Sequence, residues 1–319
     1  MDFNTSTLKD FEEAHDRIRN HIHRTPILTN ATINEMAGCS ISFKCENFQK
    51  VGAFKARGGM NAILGLSDAD KQKGVATHSS GNHAQAVALA AKVAGIKAWI
   101  VMPSNAPKVK KDAVKGYGAE VIECEPTIDA REDTLNAVIQ ENGALLIHPY
   151  NDERIIIGQG TATKELIEDA EKDFDYILTP IGGGGLISGA ALVSHYLSPN
   201  TKVIGGEPEA ADDAYRSFKS GQLVKNDGPP KTIADGLLTN LGDKNFEVIK
   251  KYVHDIYLVN DAEIMVALRL VWERMKIIIE PSCAVPLAVV LKNKSVFENK
   301  NVGIVLSGGN VDLGKIKFD

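Results

Sequence analysis

Short apolar runs that alternate with amphipathic stretches constrain this chain more than any other feature of its sequence. The runs at 75–79, 98–102, 120–123, 176–180, 203–206 and 302–306 are rich in β-branched residues. They read as strands buried on both faces, the pattern of a parallel sheet. Between them, 84–94, 108–117, 130–141, 160–171, 186–196 and 262–276 carry apolar residues at helical spacing. Strand then helix, repeated along 319 residues, predicts an α/β fold with right-handed crossovers. No sequence repeat or long linker marks a boundary. The polar stretch 225–231, KNDGPPK, reads as a surface loop too short to join domains. The chain is therefore expected to cross between domains more than once.

Several function classes are disfavoured at this stage. The net charge of −5 is spread along the chain with no basic block, which argues against nucleic acid as the main partner. The N-terminal stretch is polar and lacks the apolar core of a signal peptide, and no apolar run reaches membrane-spanning length. Cys39, Cys45, Cys124 and Cys283 form no C-x-x-C pair and read as free thiols of a cytoplasmic protein. His21 and His23 lack a third ligand nearby and read as a solvated helix end.

Five segments could carry chemistry. In Ile181-Gly-Gly-Gly-Gly-Leu-Ile-Ser-Gly, a strand precedes four consecutive glycines and a helix follows. Backbone N–H groups bare of side chains, at the positive end of a helix, suit a phosphate. The spacing does not fit the dinucleotide fingerprint G-x-G-x-x-G. In Thr77-His-Ser-Ser-Gly-Asn-His, small donors and an amide gather at a strand end, where open α/β sheets bind ligands and where a carboxylate would fit. A Ser–His hydrolase is the rival there, but G-x-S-x-G is missing and no third triad member stands out. Phe48–Gly58 carries Lys50, Lys55 and Arg57, among which spacing cannot choose. Leu306-Ser-Gly-Gly-Asn follows another apolar run and reads as a turn or a wall of the site. The P-loop-like Gly309–Ile316 lacks the Ser/Thr and the following helix. Glu207, Glu209, Asp212 and Asp213 cluster after a strand, either as a charged helix start or as oxygen ligands for a hard cation.

Taken together and in this order, the five segments resemble the fold-type II pyridoxal-phosphate (PLP) enzymes of the serine racemase and threonine or hydroxyaspartate dehydratase group. The resemblance covers essentially the whole chain. It implies a tryptophan-synthase-β-like fold: two open parallel-sheet α/β domains with the cofactor between them. The large one is expected at 1–70 and 150–319 and the small one at 71–149. The resemblance singles out Lys55 as the Schiff-base lysine. It places Phe54, Asn82, Gly182, Gly183, Gly184, Gly185, Leu186, Gly236 and Ser307 around the cofactor, with Ser307 at the pyridine nitrogen. A serine there does not favour a protonated ring, so proton transfer and β-elimination are expected rather than transamination. Racemase-like members carry serine where typical threonine dehydratases carry alanine, and this chain has Ser80.

The implied activity is serine racemisation with β-elimination from serine or threonine. The alternatives are a threo-3-hydroxyaspartate dehydratase or a catabolic threonine dehydratase. A nucleotide-dependent dehydrogenase and a non-catalytic binding protein are the rivals from other classes. In the expected mechanism Ser79, Ser80, Asn82, His83 and Arg131 hold the substrate carboxylate. Lys55, its pKa lowered, takes the α-proton from one face, and Ser80 returns it on the other. His148, Tyr150 and Arg154 are candidates for the side-chain pocket. The resemblance also implies a divalent cation (Mg2+, or Ca2+ or Mn2+) at Glu207, Asp213 and the carbonyl of Ala211. It further implies an ATP effector near Lys50, Gln85, Tyr117 and Asn310, and a homodimer.

Overall fold

The computed structural model describes residues 7–318. Ten strands form two sheets, and strand numbering follows the chain: β1 Ile27–Leu28, β2 Ser40–Cys45, β3 Val75–His78, β4 Ala98–Pro103, β5 Glu120–Cys124, β6 Leu145–Leu146, β7 Tyr176–Pro180, β8 Lys202–Pro208, β9 Asp255–Val259 and β10 Asn301–Leu306. The larger sheet has the order β1-β2-β10-β7-β8-β9 and the smaller β5-β4-β3-β6. Every pairing is parallel except β1 with β2. This is the expected α/β architecture. All six apolar runs read from the sequence are strands within two residues of their expected ends.

The sheets are covered by helices, as buried parallel sheets require. Helix Pro281–Lys292 contributes Cys283, Ala284, Val285, Leu287, Val289 and Val290 to the apolar cluster under the larger sheet. Helix Asn82–Ala94 does the same for the smaller sheet through Ala84, Val87, Ala88 and Ala91. That second cluster also draws in Met60, Ile63 and Ile155 from segments flanking the smaller sheet.

Three helices pack side by side with glycines at their crossings. Helix Lys55–Leu64 meets helix Glu153–Asp169 where a Cβ on Gly158 would lie 2.7 Å from the Cα of Gly58. Helix Glu153–Asp169 meets helix Gly185–Leu197 where a Cβ on Gly189 would lie 2.6 Å from the nitrogen of Gly160. Side chains at these crossings would push the helices apart. The three helices thereby hold the ends of β2 and β7 in a fixed relation.

Candidate active site

The chemistry-bearing segments follow the carboxyl ends of strands, where open parallel sheets gather ligands. After β7 come the four glycines, which lead into helix Gly185–Leu197. Gly184 has φ 93°, a conformation that favours glycine. The carbonyl of Gly183 accepts from Asn245 Nδ2 at 2.8 Å and from the Gly242 nitrogen at 3.2 Å. Protein groups therefore occupy the carbonyl side of the loop. A Cβ on Gly183 would fall 2.3 Å from the ring of Tyr150, and one on Gly182 would fall 3.3 Å from the carbonyl of Gly236. The loop is a cradle that any side chain would fill. Leu186, in the first turn of the helix, is buried beside Val305, with Phe54 packed against that cluster.

Lys55 opens helix Lys55–Leu64, shortly after β2. Its Nζ donates to the carbonyl of Pro149 at 2.8 Å and lies 5.2 Å from the centroid of Phe54. Burial pushes its pKa down to about 8, opposed by Glu280. This amine can therefore exchange a proton near neutral pH, as the expected acid–base role requires. The Phe54 nitrogen donates to the carbonyl of Ser307 at 2.9 Å, and Ala53 bridges Gly308, which ties the lysine segment to the end of β10. The Ser307 side chain is buried beside the thiol of Cys283.

After β3 come Ser79 and Ser80, then helix Asn82–Ala94. Ser79 Oγ accepts from the Gly81 nitrogen at 3.2 Å. Asn82 Nδ2 donates to both oxygens of Glu280, and Asn82 Oδ1 accepts from Asn310 Nδ2 at 2.9 Å. His83 is buried with Nε2 3.2 Å from the carbonyl of Ile147, while Nδ1 has no partner. A carbonyl can only accept, so the proton sits on Nε2. Burial and the nearby charge of Lys55 hold the ring neutral. The His83 side chain thus offers an acceptor, and the donors available to a carboxylate here are the helix N–H groups and the serine hydroxyls. Arg131, on helix Ile128–Asn142, has a buried Nε without a protein partner and lies within electrostatic reach of His78.

Comparison with known proteins decides the family. The family described as pyridoxal-phosphate dependent enzyme matches residues 18–308. The chain belongs to this family of pyridoxal-phosphate-dependent enzymes. A β-hydroxyaspartate dehydratase of Paracoccus denitrificans is 51% identical over 98% of this chain and 99% of its own. A serine racemase of Dictyostelium discoideum is 52% identical over 98% and 97%. The crystal structure of serine racemase from that organism superposes with a TM-score of 0.92 at 51% identity, covering 97% of this chain and 100% of the other.

The residues present fit pyridoxal phosphate. The side-chain-free loop suits a phosphate, and the buried Lys55 amine, 5.2 Å from the centroid of Phe54, is a group that would hold the cofactor's aldehyde. When bound, the cofactor supplies a conjugated ring that withdraws electrons from the α-carbon of an amino acid. Glu280 lies among these side chains, and the sequence reading missed it. It stands at the N-cap position of helix Pro281–Lys292 without capping it, and is buried beside Asn82 and Lys55, its pKa pushed up to about 7 by burial and by Asp235. The only hint in the sequence is an acid between an apolar run and a proline. Tyr150 lines the cradle and its phenol is pushed up to about 12 by burial. Burial lowers His148 to about 4, and its Nδ1 accepts from the nitrogens of Tyr150 and Asn151. Arg154 is turned to Asp152 at 2.5 Å instead of to the cleft.

The remaining expected groups are placed as follows. Glu207 is the next-to-last residue of β8, Ala211 lies in the turn Glu209–Ala211, and Asp213 opens helix Asp213–Ser220. All three are buried. Glu207 accepts from the nitrogens of Ala214 and Tyr215, and Asp213 from Asn226 Nδ2 and the Leu241 nitrogen. Burial holds both carboxyls above the usual range, with Asp213 adding repulsion at Glu207. Among the described residues no three His, Cys, Asp or Glu side chains form a metal-binding group. Two carboxylates with a carbonyl are nonetheless a hard-oxygen set. Lys50 sits in a turn packed on helix Asn82–Ala94, which bears Gln85, and Asn310 joins that turn through the carbonyl of Val51 at 2.6 Å. Tyr117 packs against the apolar cluster of the smaller sheet.

Proposed function

We propose that this enzyme racemises serine and eliminates water from small β-hydroxy amino acids, with Lys55 and Ser80 as its proton carriers. The observation that carries this reading is a lysine with depressed basicity that bonds the Pro149 carbonyl, next to the Tyr150 that abuts the glycine loop, and whose charge reaches His83 in the segment that carries Ser80. Lys55 removes the α-proton. If Ser80 delivers a proton to the other face, the enantiomer forms. If the β-hydroxyl leaves first, a keto acid and ammonia follow. A tenfold partition between the outcomes needs only about 1.4 kcal/mol. Ser79, Ser80, the N–H groups of Asn82 and His83, and Arg131 hold the substrate carboxylate. Phe54, Asn82, Gly182–Gly185, Leu186, Gly236 and Ser307 hold the cofactor.

A second reading, 3-hydroxyaspartate dehydratase, draws support from positive charge near the serine loop. Lys110 Nζ would lie 3.8 Å from a Cβ on Gly81, and the Arg131 Nε lacks a protein partner. Lys110 is paired with Asp235 at 3.9 Å, so Arg131 is the cation that would meet a second carboxylate.

The rest of the reading is as follows. Residues 1–70 and 150–319 form a large cofactor domain and 71–149 a small one. Glu207, Asp213 and the Ala211 carbonyl bind Mg2+, Ca2+ or Mn2+, and their hard-oxygen chemistry supports it. ATP is an effector near Lys50, Gln85, Tyr117 and Asn310, and the protein is a homodimer. A cytoplasmic location is supported by four buried, unpaired cysteines. No described helix is long and apolar enough to cross a membrane.

A panel of L-serine, D-serine, L-threonine and threo-3-hydroxyaspartate, with chiral analysis of products and with and without EDTA, tests the whole. Serine epimerisation together with pyruvate formation is expected. Turnover of hydroxyaspartate alone overturns the first reading in favour of the second.

A further inference from the structure

Lys55 lies in the first turn of a helix, the part most prone to fray because its N–H groups lack helical partners. The N-cap is Phe54, which makes no side-chain cap. Gly58 and Gly59 follow, residues of poor helix propensity. Backbone ties to Ser307 and Gly308 hold its start, the Gly58 nitrogen donates to Gln159 Oε1 at 3.2 Å, and a buried side chain adds to them.

Two residues beyond Lys55, Arg57 is fully buried. Both edges of its guanidinium are taken by carboxylates. Nε and Nη2 donate to Glu46 at 2.7 and 2.8 Å, and Nη1 and Nη2 to Glu165 at 2.8 and 2.7 Å. Nη1 also reaches Thr161 Oγ1 at 3.2 Å. Lys44 donates to Glu165 at 2.7 Å, and Thr25 Oγ1 donates to Glu46 at 2.5 Å. His15 Nε2 lies 3.3 Å from Glu165. Two buried cations thus face two buried carboxylates. Withdrawing such ions from water costs several kcal/mol each, and apolar residues of equal volume are often as stable. A pair of bidentate contacts contributes direction rather than stability.

That direction bears on the site. Glu46 follows β2, and Glu165 lies on helix Glu153–Asp169. The same helix meets helix Gly185–Leu197 at the Gly160–Gly189 crossing, and the N-terminus of helix Gly185–Leu197 is the glycine cradle. One rigid path therefore runs from Lys55 through Arg57 and Glu165 to the cradle. We propose that Arg57, clamped by Glu46 and Glu165, is a positioning residue that sets the Lys55 amine at its working distance from the glycine cradle. This rests on the reading of Lys55 as the cofactor lysine.

The test uses Arg57→Lys, which keeps the charge but loses the fork, and Glu165→Gln. Holoenzyme kinetics are paired with competitive acylation of Lys55 in the apoenzyme, read by mass spectrometry across pH. With both variants folded by circular dichroism, kcat falls about tenfold or more while KM stays within about twofold, as for a misplaced reacting group. The acylation midpoint rises from about 8 toward the ordinary lysine value of 10.5 as the turn loosens. Unchanged kcat and midpoint, with only a lower Tm, overturn the proposal and leave Arg57 a purely structural group. If Arg57→Lys fails to fold, Glu165→Gln and Thr161→Val decide by the same two readouts. Lys55→Ala separates the underlying reading: a visible cofactor band that persists in it removes Lys55 from the chemistry, whereas the acylation arm still reports how Arg57 places the amine.

Discussion

The side-chain amide of Asn82 spans both carboxylate oxygens of Glu280, at 3.1 and 3.2 Å. A neutral amide is the polar partner this buried acid receives from the helix that follows Ser80, and burial pushes its pKa from 4.5 to about 7. Between those values the native state keeps a proton that the unfolded chain releases. Stability therefore falls as pH rises through this window and stays lower above it. Glu280→Gln removes the slope. Denaturant unfolding of the apoenzyme at pH 5 and pH 8 should show the variant gaining on the parent as pH rises, by on the order of 3 kcal/mol at most. An offset that is equal at both pH values would mean that the carboxyl titrates normally. Loss of the Glu280 charge also removes the attraction that keeps Lys55 protonated, so the midpoint of Lys55 acylation should move below about 8.

Ser80→Ala should separate the two reactions. Racemisation of serine requires a proton on the face away from Lys55, whereas elimination from L-serine requires only Lys55 and departure of the hydroxyl. Racemisation is expected to fall at least about a hundredfold, as for loss of a general acid, with dehydration of L-serine retained. Equal loss of both would place Ser80 in carboxylate binding alone.

Gly183→Ala puts a methyl group where the Tyr150 ring already stands, 2.3 Å from its Cγ. The ring or the loop must shift, and overpacking of this kind costs about 1–3 kcal/mol. If the loop takes the strain, cofactor affinity falls about tenfold or more, read by titrating apoenzyme with pyridoxal phosphate. Gly183→Ala with wild-type affinity would show that Tyr150 yields instead.

The buried carboxyls of Glu207 and Asp213 should respond to cations. Millimolar Mg2+ or Ca2+ is expected to raise Tm, by mass action on the native state, and Glu207→Gln should abolish the rise. A Tm that is independent of cations and of EDTA would refute the site.

Most strands were legible because their apolar, β-branched runs are buried on both faces. Ser40–Cys45 escaped because it contains Lys44, whose charge reads as solvent-facing although Glu165 and the Thr25 carbonyl hold it inside. Helix Lys55–Leu64 escaped for a related reason. Gly58 and Gly59 argue against a helix locally, yet a Cβ on Gly58 would meet the Ile155 carbonyl at 3.0 Å and one on Gly59 the Ala86 carbonyl at 3.0 Å, close approaches that glycine permits. The glycine cradle and the serine loop were legible as anion sites, whereas spacing could not distinguish Lys55 from Lys50 or Arg57. Their difference is one of burial and partners, supplied largely by residues far along the chain, Pro149 for Lys55 and Glu165 for Arg57 among them.

The balanced set of Lys44, Glu46, Arg57 and Glu165 restricts how this protein can diverge. Removing the charge of any one of the four leaves another uncompensated inside the fold, a loss of about 3–5 kcal/mol set against a total stability of about 5–15 kcal/mol. Neutral drift must therefore change these positions together or not at all. Nearby surface positions remain free to vary one at a time, so in a lineage of such enzymes this buried quartet would persist as a fossil of the ancestral chain.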